Sequence, residues 1–267
     1  MKLGYIDYLN CYPFYHHMMT KSPLDGVKVV PAYPSALNAM MREGALDMSP
    51  VSSAAYADVR GAFILPGFCL SSIGYVRSVV LVSRVPIEEL DGRTLGLSSA
   101  SQTSVVLLKM LLERHYGVRP AYVPSPPRPS LSEIDAALVI GNEAMMHEAE
   151  PIPYTYDLGD LWLRKTGHPV VFAVFLVGAA AALSMRADID RVVESYRNSL
   201  ACLQSERSAL IDAARAKYPD VAYDIDTYYR LLRFEFTDEL KSALAYYYAQ
   251  AGEMGLVPPV GEIRYYR

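Results

Sequence analysis

Four short stretches of the chain concentrate small hydroxyl and amide side chains, and each follows a segment with the pattern of a β-strand. They are residues 7–10, 49–53, 98–104 and 141–143. Three of them also open predicted helices, where free backbone N–H groups and the positive end of the helix dipole can hold an anion without lysine or arginine. The pattern therefore favours a site for a small, oxygen-rich anion such as a carboxylate.

The same side chains also have a purely structural interpretation. Serine, threonine and asparagine are the preferred residues at helix N-termini, where they cap backbone N–H groups. Six of the seven residues at 98–104 are polar, which is more than one cap needs, so capping and anion binding both stay open there and at 49–53. Asn10 precedes Tyr12 and Pro13, and a turn-forming role is as consistent with that position as a ligand contact.

The motifs of several common catalytic and metal sites are absent from the sequence. The chain contains no HExxH, GxSxG, GxxxxGK[ST] or GxGxxG motif. Cys11, Cys69 and Cys202 are widely spaced, with no CxxC pair and no Cys/His cluster. The sequence therefore predicts neither a metal site nor a disulfide framework.

Composition narrows the class of protein further. The 267 residues are 52% hydrophobic and 20% charged, with a formal net charge of −4 and no block of like charges. A nucleic-acid surface normally requires a basic patch, so we expect no nucleic-acid binding. Any bound anion must be held by local groups rather than by the overall charge of the protein. The first residues resemble a strand rather than a secretory signal, and the longest apolar run, 170–183, is short for a membrane span. We therefore expect a cytoplasmic protein without a membrane segment.

Alternating strand and helix patterns predict an α/β fold with largely parallel sheets. Predicted strands cover 2–6, 27–31, 46–48, 63–70, 75–84, 94–97, 134–140 and 170–177. The proline-rich segment 122–128 is predicted to begin as a short strand and to become an extended linker. Predicted helices cover 12–20, 34–43, 52–57, 103–116, a segment from 142, 188–204, 207–217, 224–232 and 237–254. The apolar strands at 75–84 and 170–177 are expected to cross between two lobes. Lobe 1 would comprise residues 1–84 and 173–267, lobe 2 residues 85–172, with the ligand at the carboxyl ends of the strands.

Taken in order, the polar segments resemble one family, the chorismate dehydratases of the futalosine branch of menaquinone biosynthesis. The segments that carry the resemblance are GYIDYLN at 4–10, DMSPVSS at 47–53, LSSxGxVRSV at 70–79, VPIEELDG at 85–92, SQTS at 101–104, IGNEA at 140–144, YDLG at 156–159 and VFAV at 171–174. The similarity covers essentially the whole chain. No single motif is very specific, but the ordered set is.

The resemblance implies a fold, a reaction and a set of site residues. The fold would be a periplasmic-binding-protein-like (type II) fold, and the reaction loss of water from chorismate to give 3-[(1-carboxyvinyl)oxy]benzoate, without a metal or organic cofactor. Asn10 and Ser78 match the positions expected to be catalytically most relevant. The expected substrate-binding residues are Tyr8, Ser49, Ser52, Ser72, Ser101, Gln102, Thr103, Ser104 and Asn142.

Three positions depart from the pattern of that family, and they bear on substrate positioning rather than on reaction class. Asp7 stands where serine is usual, Asn142 where aspartate is usual, and Tyr75 where proline is common. Ser78 also has a structural alternative, because side chains alternate faces along a strand and a buried serine can simply bond to a neighbouring strand.

Dehydration of chorismate requires a base at the ether-bearing carbon and an acid at the leaving hydroxyl. The matched motifs offer no strong base, so our hypothesis is an E1cB-like elimination in which the enolpyruvyl carboxylate of the substrate takes the proton. Asn10 and Ser78 would orient that carboxylate, and backbone donors at 101–104 would hold the other one. Asp7 as general base is the rival mechanism.

Two other functions remain open at this stage. One is a non-catalytic cytosolic solute-binding or sensor protein for a small carboxylate, and the other is the neighbouring pathway enzyme that makes dihydroxynaphthoate. In either case the sequence is compatible with a monomer or a homodimer.

Overall fold

Two mixed β-sheets organise the chain. The computed structural model describes residues 1–147 and 151–267. The strands are β1 (Lys2–Ile6), β2 (Lys28–Ala32), β3 (Met48–Ser52), β4 (Phe63–Ser72), β5 (Val79–Ser83), β6 (Thr94–Ser98), β7 (Ala121–Ser125), β8 (Ala136–Ile140), β9 (Tyr154–Asp157), β10 (Val170–Val177) and β11 (Leu232–Glu235).

Helices flank these sheets and form most of the C-terminal part of the chain. They are α1 (Tyr12–Thr20), α2 (Pro34–Arg42), α3 (Gln102–Met110, continued by a π-helical turn at Leu111–Tyr116), α4 (Leu158–Thr166), α5 (Ala179–Ser184), α6 (Arg186–Ser205), α7 (Arg207–Lys217), α8 (Ile225–Leu231) and α9 (Asp238–Glu253). Short 3-10 turns occupy Ser53–Asp58, Ile87–Glu89 and Glu143–Met145. No helix in 1–147 or 151–267 is long and apolar enough to cross a membrane.

The first sheet has the strand order β11-β4-β10-β3-β1-β2, and the second has the order β7-β6-β8-β5-β9. Within the first, β1 runs parallel to β2 and β3, whereas β10 runs antiparallel to β3 and β4. Within the second, β6 is parallel to β7 and β8, and β5 is antiparallel to β8 and β9. The predicted two-sheet α/β architecture is thus confirmed, but the expectation of largely parallel sheets holds only around β1 and β6.

The passage from the first sheet to the second is a turn rather than a strand. The first sheet ends at Ser72 and the second begins at Val79, so the prediction of one strand over 75–84 is wrong at its start. Arg77 has φ 69° and is the one non-glycine residue with positive φ in the described part of the chain, a conformation that breaks a strand. The chain rejoins the first sheet at Val170. The lobe division at residues 84 and 172 stays a prediction.

Other differences from the predicted elements are local. Strand β3 begins at Met48 and continues through Pro50 to Ser52, later than the predicted 46–48. The helix predicted from Asn142 is a single 3-10 turn that ends where Met146 becomes extended. Strands β9 and β11 are each four residues long, too short to show a reliable period of two, and both were missed.

The core is continuous between the sheets and the C-terminal helices. The ring of Phe14 on α1 lies 4.6 Å from that of Phe175 on β10 and 5.6 Å from that of Tyr196 on α6. Helix α9 contacts both sides of the molecule, because Tyr247 donates to the Thr103 carbonyl at 3.1 Å and Tyr248 to the Ser53 carbonyl at 2.7 Å. These tyrosines are buried in the core, and they also anchor two of the polar loops.

Candidate functional site

A narrow cavity of about 40 Å³ lies where the two sheets meet. Its polar lining consists of Tyr8, Asn10, Ser52, Ser78, Ser101 and Ser104, and its other lining residues are Ile6, Pro34, Leu70, Val76, Val79, Ile140, Gly141, Phe172, Ala173 and Leu232. All six polar residues are among those that the sequence singled out. No charged side chain of the described residues lines this cavity, so an anion bound here would be met by hydroxyl, amide and backbone groups.

Strand direction explains why residues distant in sequence meet at this cavity. Parallel strands of one sheet end at the same edge, which places the residues after β1 beside those after β3 in the first sheet and the residues after β6 beside those after β8 in the second. Strand β5 is antiparallel to β8 and pairs Val79 with Ile140. Ser78, directly before β5, therefore lies beside the loop that follows β8, and its carbonyl accepts a 2.7 Å hydrogen bond from the Gly141 N–H.

Three buried polar atoms of this lining have no hydrogen-bond partner among the described residues. They are the Tyr8 hydroxyl, the Asn10 Oδ1 and the Ser52 Oγ. A buried polar atom left unpaired costs about 1–3 kcal/mol, and such atoms are rare in folded proteins. Their convergence on one cavity indicates a site for a polar ligand or water that both donates and accepts hydrogen bonds.

The five other predicted site residues lie outside this lining, and their side chains bond within the protein. Ser49 donates to the Pro50 carbonyl (2.8 Å), Ser72 to the Gly74 carbonyl (2.9 Å) and Gln102 to Asp58 (3.1 Å), while Thr103 accepts from the Ala54 N–H (3.1 Å) and Asn142 from the Leu9 N–H (2.9 Å). In this structure they hold loops of the site in place. Their role as substrate contacts stays a prediction.

The loop at the start of α3 supports both interpretations left open by the sequence. Ser101 caps the helix, because its Oγ accepts from the Ser104 N–H at 3.3 Å, and the two hydroxyl oxygens lie 3.1 Å apart. Both residues also line the cavity. The N–H groups of a first helical turn have no partner within the helix, so the positive end of α3 lies beside the cavity.

Ser78 has a partner that the sequence did not reveal. The hydroxyl of Tyr228, on α8, donates to the Ser78 Oγ at 2.8 Å, and both side chains are buried. The Asn10 side chain also lies close enough to the Tyr228 hydroxyl to influence its pKa. No local pattern links residues 78 and 228, and a tyrosine pair on a C-terminal helix is typical of core packing, so no sequence signal could have identified this contact.

The strained backbone before Ser78 is held by Asp157, a second residue missed as a site component. Asp157 Oδ2 accepts from the N–H groups of Val76 (3.1 Å) and Arg77 (2.6 Å), and Oδ1 accepts from the Asp160 N–H (3.0 Å). Burial raises the pKa of Asp157, and these N–H groups oppose that shift. A non-glycine residue at positive φ persists only when its surroundings fix it, and Asp157 supplies that constraint.

Tyr8 packs against the loop after β8. Its ring lies so close to Gly141 that a Cβ there would come within 2.6–2.8 Å of ring atoms. Burial, reinforced by the neighbouring Glu143, raises the pKa of the Tyr8 hydroxyl, which therefore keeps its proton. Burial likewise raises the pKa of Glu143. The two side chains are neighbours, although their oxygens do not meet hydrogen-bond geometry.

Asp7 is turned away from the cavity. It is exposed, it accepts a hydrogen bond from Tyr218 at 2.9 Å, and it pairs with Lys217 at 3.0 Å. It is absent from the cavity lining. This placement does not favour Asp7 as a general base.

Sequence comparison identifies the family. A family model described as menaquinone biosynthesis matches residues 1–253. The chain belongs to this menaquinone biosynthesis family. The match agrees with the resemblance noted in the sequence.

Two curated relatives carry names from this area of metabolism. The chorismate dehydratase of Thermus thermophilus is 31% identical over 191 residues, which cover 65% of this chain and 68% of that protein. The 1,4-dihydroxy-6-naphtoate synthase of the same organism is 25% identical over 231 residues, which cover 84% of this chain and 82% of that protein.

Solved structures confirm the predicted periplasmic-binding-protein-like fold of this family member. A protein from Archaeoglobus fulgidus superimposes with a TM-score of 0.75 at 20% identity, covering 96% of this chain and 98% of that one. The periplasmic aliphatic sulphonate binding protein SsuA from Escherichia coli gives a TM-score of 0.68 at 14% identity, covering 100% and 93%. At such identities the likeness concerns the fold alone.

Proposed function

We propose that this member of the menaquinone biosynthesis family is a carbon–oxygen lyase of the futalosine route that dehydrates chorismate to 3-[(1-carboxyvinyl)oxy]benzoate in the cavity between the sheets. The observation that carries the proposal is the convergence of the unpaired polar atoms of Tyr8, Asn10 and Ser52 with Ser78 on one cavity. The similarity to a chorismate dehydratase supports the choice of substrate.

Dehydration of chorismate depends more on the orientation of its reacting groups than on a strong base. The C–H bond at the ether-bearing carbon and the C–O bond to the ring hydroxyl break, water leaves, and the ring becomes aromatic. In the proposed step the enolpyruvyl carboxylate of the substrate accepts the proton. Holding reacting groups in place can supply about 7–11 kcal/mol of a barrier, and an uncharged, hydroxyl-rich cavity suits that task.

Each lining group has a role in this proposal. Asn10 and Ser78 orient the enolpyruvyl carboxylate. The first turn of α3, with Ser101 and Ser104, holds the second carboxylate. Tyr8 and Ser52 hydrogen-bond the ring hydroxyl that leaves. The cytoplasmic location, the absence of a cofactor and the monomeric or homodimeric state accompany this proposal as predictions from the sequence.

A second candidate reaction follows from the other relative, whose match covers more of this chain although at lower identity. In that case the product would be 1,4-dihydroxy-6-naphthoate, and chorismate would be left unchanged. A non-catalytic carboxylate-binding protein is the third possibility, and it would bind chorismate without converting it. The names of both relatives are those of enzymes, which supports turnover over binding alone.

The test is to incubate the purified protein with chorismate and follow the products by chromatography and mass spectrometry. We expect loss of one water and an aromatic enolpyruvyl ether. Asn10→Ala and Ser78→Ala should each lower kcat/KM by about 100-fold, the scale of losing one transition-state hydrogen-bond donor. Ser195→Ala is the matched control, because Ser195 is buried on α6 outside the cavity. Unchanged chorismate would overturn the proposal, with calorimetry then separating a binding protein from a protein without affinity.

A further inference from the structure

We infer that Tyr228 is a positioning residue for the reaction, which directs the hydrogen of the Ser78 hydroxyl into the cavity. The inference rests on the proposed function and deepens it. It assigns a role to a part of the chain, the C-terminal helical segment, that contributes to neither the strand-end loops nor the family motifs described above.

The hydrogen-bond capacity of a serine hydroxyl carries the argument. Such a hydroxyl has one hydrogen to donate and two lone pairs that accept. Tyr228 donates to the Ser78 Oγ at 2.8 Å, so one lone pair of Ser78 is occupied and its own hydrogen is left to donate elsewhere. Ser78 lines the cavity, and an anionic oxygen there is the acceptor that this hydrogen would find.

The Tyr228 hydroxyl keeps the proton that it donates in this hydrogen bond over the working pH range. Tyr228 is fully buried, and burial raises the pKa of its hydroxyl well above the ordinary value of 10.0. The hydroxyl therefore keeps its proton and continues to donate to Ser78. A carboxylate ligand is ionised at neutral pH. The hydrogen bond from Tyr228 to Ser78 and the anionic ligand are therefore present at the same pH.

Tyr229, the next residue on helix α8, fixes the backbone beside Asn10, the other candidate catalytic residue. The hydroxyl of Tyr229 donates to the Leu9 carbonyl at 3.1 Å, directly before Asn10. Helix α8 itself is fixed by the ion pair between Arg207 and Asp226 and by Asp224, which caps its start. Consecutive tyrosines of one anchored helix thus set the placement of both Ser78 and Asn10.

The experiment is a double-mutant cycle on chorismate turnover with the parent, Tyr228→Phe, Ser78→Ala and the double variant. Phenylalanine keeps the ring that packs in the core and removes only the donor. We expect Tyr228→Phe to lower kcat by roughly tenfold, the scale of one lost hydrogen bond, with little change in KM. In the Ser78→Ala background the same change should have no further effect, because Tyr228 acts through Ser78.

Tyr196→Phe is the matched control. Its hydroxyl also makes a buried tyrosine–hydroxyl bond, to Tyr15 at 2.6 Å, but away from the cavity. Thermal unfolding of all variants reports whether each is folded. We expect Tyr196→Phe to keep the parent turnover.

The outcomes separate this inference from the proposed function. The role of Tyr228 is overturned if Tyr228→Phe lowers kcat equally in the parent and Ser78→Ala backgrounds, or does not lower it at all. In that case turnover of chorismate by the parent still supports the proposed function. If the parent binds chorismate without converting it, the proposed function fails, and the same cycle is measured as affinity by calorimetry. An effect of Tyr228→Phe on affinity that is present when Ser78 is retained and absent in the Ser78→Ala background then supports the inference, and any other pattern overturns it. A parent that neither converts nor binds chorismate overturns both.

Discussion

The side-chain oxygen of Asn142 accepts a 2.9 Å hydrogen bond from the backbone N–H of Leu9, which joins the loop after β8 in one sheet to the loop after β1 in the other. The N–H of Ser35 donates to the Ala100 carbonyl at 3.1 Å and makes a second link of this kind. These bonds tie the two sides of the cavity together. Asn142, expected to contact the substrate, thus acts in this structure as a clasp between the loops.

The clasp predicts a ranking of two substitutions at residue 142. Asn142→Ala leaves the Leu9 N–H without its acceptor, which costs about 1–3 kcal/mol if that group stays buried, so we expect a higher KM for chorismate. Asn142→Asp keeps an acceptor oxygen and should retain more activity, although its charge opposes an anionic ligand. Steady-state kinetics of the two variants checks this. A lower kcat/KM for Asn142→Asp than for Asn142→Ala would contradict a role of Asn142 as a clasp.

Asp7 gives the next prediction, which concerns the identity of the base. Because its carboxylate contacts Lys217 and Tyr218 outside the cavity, Asp7→Asn should change kcat/KM by less than about twofold. The exposed ion pair with Lys217 is expected to contribute at most about 1 kcal/mol to stability. Kinetics and thermal unfolding of this variant measure both effects. Loss of turnover in a folded protein would restore Asp7 as the general base.

Sequence patterns located the strand-end loops of this site but not the residues that act across the fold. Tyr8, Asn10, Ser52, Ser101 and Ser104 follow or end local strand patterns, and they meet at the cavity. Such patterns report which face of an element is buried. They do not report pairings between distant residues.

Two features of the site could not be predicted from the sequence for this reason. Tyr228 lies 150 residues from Ser78, and nothing in the period of α8 distinguishes a tyrosine that bonds Ser78 from one that fills the core. The turn at 73–78 was hidden because Val76 and Val79 continue an apolar, β-branched pattern across it. The bonds from Asp157 that stabilise this turn come from a separate part of the chain.

Gly141 provides a test of how the cavity tolerates added volume. It has φ 67°, and a Cβ would come within 2.6–2.8 Å of the Tyr8 ring. Gly141→Ala should therefore displace Tyr8, and we expect at least a tenfold loss in kcat/KM together with lower stability. Both effects are measurable by kinetics and urea unfolding.

Gly117→Ala is the control for backbone strain alone. Gly117 has φ 71°, and a Cβ there would meet nothing within 4 Å. That variant should lose about 1 kcal/mol of stability and keep its activity. Equal kinetic losses in the two variants would show that strain, rather than contact with Tyr8, explains the effect.

The raised pKa of the buried Glu143 side chain leads to a prediction of how the stability of the protein depends on pH. Burial disfavours its charged form, while Arg128 and the Tyr8 hydroxyl oppose that shift only in part, so its pKa in the folded protein lies above the ordinary value of 4.5. The folded protein then holds this proton at a higher pH than the unfolded chain does. The contribution of Glu143 to stability is complete below pH 4.5 and is lost as the pH rises through the raised pKa.

Glutamine at this position stays neutral at every pH. Glu143→Gln should therefore unfold at higher urea concentrations than the parent at neutral pH, and the difference should disappear below the ordinary carboxyl pKa. Glu133→Gln, at an exposed glutamate of the same sheet region, is the control for removal of a carboxylate, and its urea midpoint at neutral pH should match that of the parent. If Glu143→Gln were less stable than the parent at neutral pH, the carboxylate would instead be making a favourable contact in its charged form.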